Sequence, residues 1–160
     1  MAEQRLQKWA LVAELVSALA VVVTLAFLIV GMRDNTNAIQ AQTYQQLIRD
    51  INTWRSSIRD LEREEILFRI DEGDTENLAD GELAAVRLAY LELWGIYEAA
   101  FFANDRGVLG PNEWTRFEIM ICFERTSVSE SFFEQDFRGI LPISETLTPA
   151  FAAYVRESCD

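Results

Sequence analysis

Between Ala10 and Met32 the chain reads ALVAELVSALAVVVTLAFLIVGM, about 23 positions with one ionisable side chain, Glu14. As a helix this stretch is roughly 34 Å long, enough to cross a hydrocarbon core about 30 Å thick. Trp9 stands at one end, where an amphipathic ring suits the headgroup layer, and Arg33 closes the other. The stretch predicts a transmembrane helix. A core helix of a soluble domain rarely runs so long without a polar face. A cleaved signal peptide is the main rival, because Ala18-Leu19-Ala20 has the small-x-small pattern of a cleavage site. The apolar run continues for about ten residues past that point, which signal peptides do not do, so an uncleaved anchor is expected.

Small residues recur along one face of this segment at Ala10, Ala13, Ser17, Ala20, Thr24 and Gly31. Steps of three or four from Ala10 to Thr24, with Gly31 two turns further on, stack them in a stripe, and such stripes let helix backbones approach closely in lipid. The stripe predicts helix–helix association, with a second copy or with another membrane subunit. Glu14 borders it, one turn inside the Trp9 boundary. A carboxylate in a span is a functional candidate by default, although at this shallow depth it can also snorkel or pair with Arg5 or Lys8.

The 160 residues carry a net charge of −12. From Asp34 onward there are 11 Arg against 24 Asp and Glu. Such a surface repels phosphate backbones, so no nucleic-acid partner is expected. It also disfavours docking on anionic lipid, which leaves the helix as the attachment to the bilayer. Histidine is absent. This excludes His-based triads, His metal ligands and His pH switches.

The remainder reads as helical. Asp34-Asn35-Thr36-Asn37 is expected to form a short break or cap, followed by a long helix over 36–70. Tyr44, Leu47, Ile51, Trp54, Ile58, Leu61 and Phe68 form a heptad-like stripe on it. That stripe either packs on the chain's own helices or forms an intermolecular coiled coil. The acidic stretch Asp71 to Asn77 fails the calcium-loop pattern in both registers tried and reads as a solvated turn. Asp80 is expected to cap a helix reaching Asn104, with Leu83, Val86, Tyr90, Leu93, Trp94, Tyr97 and Phe101 on its buried face.

After the Arg106-Gly107 turn, Pro111 opens a helix with Trp114, Phe117 and Ile121 inward. Ser127-Val128-Ser129-Glu130 reads as a capping box before a short helix carrying Phe132, Phe133 and Phe137. Thr148-Pro149 opens the last helix, with Phe151, Tyr154 and Val155. No segment alternates apolar and polar residues as a strand would. The expected fold is all-α: a polar tail over 1–9, a transmembrane helix over 10–32, a long amphipathic helix over 36–70, and a helical bundle over 80–158 packing on it. Cys122 reads as a buried structural thiol and Cys159 as part of a frayed tail; two cysteines do not fix a compartment.

The motifs Arg33-Asp34-Asn35-Thr36-Asn37-Ala38 and Ala41-Gln42-Thr43-Tyr44, with Arg106-Gly107, Trp114 and Pro149-Ala150-Phe151 after them, carry a resemblance. They resemble a group of bacterial proteins with an N-terminal membrane helix ending in Arg-x-Asn-Thr and a helical remainder. Members of the group usually carry another basic residue where this chain has Asn37. The group has no assigned activity. The resemblance implies a fold and a single-pass place in the bacterial inner membrane, and it carries over no catalytic residue.

The expected function is therefore that of a membrane-anchored, non-enzymatic interaction protein, acting by self-assembly or as an accessory subunit, with the bilayer and other subunits as partners. The alternative is a homo-oligomeric channel with Glu14 near the pore. No cofactor, metal or catalytic site is expected. Without His, a phosphate loop or a nucleophile elbow, Glu92 and Glu98 are the best remaining acids. Sidedness stays open. Arg5 and Lys8 before the span, against Arg33 offset by Asp34 after it, lean toward an internal N-terminus, while the group's more basic second flank leans the other way.

Overall fold

A computed structural model describes residues 2–59, 65, 66, 69, 78–126, 133, 134 and 141–159, with the side chains of residues 2–8 and 10–12 excluded. Four α-helices and no strand occur among the described residues. The chain divides into two units, Met1–Ile39 and Gln40–Asp160.

The first helix, α1, runs without interruption over Ala2–Arg59. The break expected at Asp34 to Asn37 is absent. The reason is local: Thr36 Oγ1 donates to the Met32 carbonyl at 2.9 Å, four residues back. A hydroxyl bonded in that way sits inside a helix and does not cap a new one. Thr24 Oγ1 does the same to the Ala20 carbonyl at 2.8 Å. In the apolar stretch a helix satisfies every backbone N–H and C=O from within, as a bilayer demands.

The second unit is built around α2, Asp80–Asp105. Its N-cap is Ala79, one residue before the expected Asp80, and the Ala79 N–H is held by Glu82 Oε2 at 2.8 Å. Leu83, Val86, Ala89, Tyr90, Leu93, Trp94, Tyr97 and Ala100 are all buried, at spacings that make one broad apolar face. Large side chains of this kind contribute about 1.5–3 kcal/mol each on full burial, so this helix supplies much of the stabilising term. It ends in a turn where Gly107 takes φ +68°, the left-handed region that glycine enters at least cost.

Helix α3 covers Pro111–Arg125, with the proline in its first turn. Phe117 and Ile121 are fully buried on its inner side, and Trp114 packs at the edge of the core. A 3₁₀ turn covers Ile143–Glu145. Helix α4 covers Pro149–Ser158 and buries Phe151, Ala152 and Val155. The acidic stretch Asp71 to Asn77, expected to be a solvated turn, lies outside the described residues. So does most of the expected helix around Phe132 to Phe137, of which Phe133 and Glu134 are described and helical. Phe133 is fully buried.

The stripe on the C-terminal part of α1 enters this same core. Leu47, Ile51, Trp54 and Ile58 are buried and Tyr44 packs against them, while Leu61 lies outside the described residues. It is turned into the chain's own bundle rather than outward to a second copy. Trp54 Nε1 fixes the register by donating to the Ala89 carbonyl in the middle of α2.

Candidate functional site

The most unusual surface belongs to α1. From Ala13 to Met32 every described side chain is exposed, including Leu15 at 73%, Val22 at 61% and Phe27 at 74%. Soluble monomers rarely leave so continuous an apolar surface in water. Among the described residues this is the one helix long and apolar enough to cross a membrane, and it lies near the N-terminus. Ala13, Ser17, Ala20 and Thr24 are exposed on it, as is Glu14; the Ala10 side chain is outside the described set. Near the far end of the stripe, Thr24, Phe27, Leu28, Gly31, Met32 and Asn35 line a shallow open groove.

Of the motifs behind the resemblance, Arg33 to Ala38 lies in the first unit, while Tyr44, Gly107, Trp114 and Phe151 take part in contacts of the second. Gln40 Nε2 donates to the Gly107 carbonyl at 3.1 Å, bringing the start of that unit to the Arg106-Gly107 turn. Arg116 Nη1 donates to the Tyr44 hydroxyl at 2.8 Å, and the Tyr44 ring meets Phe117 edge-on at 6.2 Å. Trp114, Phe101, Tyr154 and Phe151 form an aromatic cluster with centroids 5.1–6.3 Å apart. Such pairs add about 0.5–1.5 kcal/mol beyond area burial, so these residues hold the bundle together.

The acids singled out by elimination do not converge. Glu92 is exposed. Glu98 Oε1 accepts the Thr148 backbone N–H at 2.7 Å, which ties α2 to the start of α4. Glu134 accepts both Nε and Nη2 of Arg156, at 2.9 and 3.3 Å. It also lies 3.9 Å from Arg125, whose guanidinium sits over the Phe133 ring. Burial pushes the Glu124 carboxyl up, opposed by the nearby charge of Arg55. Burial, with Glu124 beside it, also raises the Tyr97 phenol. These groups read as links between helices. Among the described residues no three His, Cys, Asp or Glu side chains come together as metal ligands.

The cysteines require a correction. Cys122 and Cys159, read from the sequence as a buried thiol and a tail residue, form a disulfide, with Cα atoms 4.9 Å apart. Helix direction brings them together. Trp114 and Glu118 of α3 meet Tyr154 of α4, and Cys122 meets Ser158 and Cys159, so the two helices advance side by side in the same sense. Trp114, Glu118 and Cys122 share one face at steps of four, the only sequence signal that could have pointed to the pair.

No protein-family model matches the chain, and no curated protein or solved structure matches it either.

Proposed function

We propose that this chain is a single-pass helical interaction protein of the bacterial inner membrane, with no catalytic role of its own. It acts by self-assembly or as an accessory subunit of a membrane complex. The observation that carries the reading is the apolar exterior of α1 from Ala13 to Met32, whereas most of the large apolar side chains described after Gln40 are spent in one core. The mechanism is positional: packing in lipid recruits the chain, and the acidic helical unit presents its surface on one side of the bilayer. The small-residue face supplies close approach for a second helix, where van der Waals packing drives association. The contacts of Arg116 with Tyr44, Glu98 with Thr148 and Arg156 with Glu134 fit this role, since each ties one helical segment to another.

The test is the mass of the assembly extracted in mild detergent, with co-purifying chains identified. A multiple of 18.3 kDa, or stoichiometric foreign subunits, is the expected result. A monomer that brings no other chain with it would overturn the proposal.

A further inference from the structure

We infer that residues 40–160 lie on the oxidising, extracytoplasmic side of the membrane, with residues 1–9 on the cytoplasmic side. The inference rests on the single-span reading above and adds the direction of that span.

The Cys122–Cys159 bond carries it. Forming such a bond takes two protons and two electrons from two thiols, and a disulfide-bearing oxidant of the same compartment must accept them. The periplasm is kept oxidising in this way, whereas glutathione and thioredoxin keep cytosolic thiols reduced. Both cysteines are half-buried, so neither is sealed from a reductant by the fold. They are also the only cysteines in the chain, and both are committed to the bond. No thiol is left over for metal binding or nucleophilic work, the common uses of cysteine in the cytosol.

With one candidate span among the described residues, one bond at the end of the chain reports the side on which residues 40–160 fold. Flanking charge does not oppose this. Arg5 and Lys8 precede the span, Arg33 follows it beside Asp34, and the next basic residue is Arg49. A folded unit of this length translocates with little regard to its own charge, so its acidity is no obstacle. Placed there, the unit has no access to cytoplasmic nucleotides, and any partner that binds it must present an extracytoplasmic surface.

The experiment uses the full-length chain in bacterial cells, quenched in acid and treated under denaturing conditions with a mass-tagged maleimide. Carbonate extraction of the membranes and protease treatment of intact spheroplasts run alongside. The expected result is no tag before reduction, two tags after it, resistance to carbonate, and digestion of residues 40–160 in spheroplasts. Cys159→Ser should take up one tag without reductant, which shows that Cys122 is reactive once unpaired. Two tags on the unreduced wild-type chain, or protection from protease in spheroplasts, would overturn the orientation even if the chain resists carbonate. Release by carbonate would overturn the span reading and the orientation with it.

Discussion

The Tyr154 hydroxyl donates to Glu118 Oε1 at 2.7 Å, joining α4 to α3 about one helical turn from the Cys122–Cys159 bond. Burial first, then this bond, pushes the phenol from its ordinary 10.0 up to about 12. A folded-state value above the unfolded one means that the contribution is complete below about pH 10. It is lost as pH rises from there to about 12. Tyr154→Phe should lower stability in detergent by about 1 kcal/mol at neutral pH. The gap between variant and wild type should close across that alkaline window. Denaturant melts at a series of pH values check this, and a gap independent of pH would show that the bond does not set the titration.

Loss of the disulfide should be costly. Closing a loop of sequence separation 37 restricts the unfolded chain by about 4 kcal/mol on a loop-entropy basis. Cys159→Ser should therefore lower the denaturant midpoint strongly. Adding reductant to the wild type should reproduce the effect and leave the variant unchanged. A midpoint that reductant does not move would show that the bond contributes nothing to the folded unit.

The two buried tryptophans should respond differently to replacement. Trp94 is fully buried, and its ring lies 4.5–6.2 Å from those of Phe133, Tyr97 and Phe151, so Trp94→Ala should cost about 3–5 kcal/mol as a core truncation. Trp54→Phe keeps most of the apolar ring and removes the bond to Ala89, so a loss of about 1–2 kcal/mol is expected. Equilibrium unfolding followed by tryptophan fluorescence measures both. The reverse order would place the centre of the core nearer Trp54.

Within the apolar stretch of α1, Ala13→Leu combined with Ala20→Leu should weaken association in detergent without lowering the stability of the folded unit. Both side chains are exposed on the small-residue face, and the added bulk holds two backbones apart. Sedimentation in density-matched detergent reports the change. Unaltered mass for the double variant would remove this face from the association.

The parts of the fold that were legible are those with long, one-sided patterns. The apolar run from Ala10 to Met32, the stripe from Tyr44 to Ile58 and the buried face from Leu83 to Tyr97 each repeat often enough to specify a helix and its side. What could not be read depends on single local choices or on distant partners. Thr36 could cap a helix or bond back to Met32, and the same residue type serves both. The cysteine pair needed the relative direction of α3 and α4, which no pattern within either helix encodes. For the candidate site, composition supported a membrane segment; the meeting of Gln40 with Gly107 and of Tyr44 with Arg116 is a long-range result of packing.

The covalent closure between Cys122 and Cys159 also determines how the protein bears load. Pull on the chain between the apolar part of α1 and its last residues, and the line of force runs to Cys122 and crosses directly to Cys159. The intervening segment, roughly 130 Å when fully extended, is kept out of that line. Helix α4 and the 3₁₀ turn before it would therefore be spared direct tension, and the contour length gained on unfolding would be short by that amount until the sulfur bridge is cut.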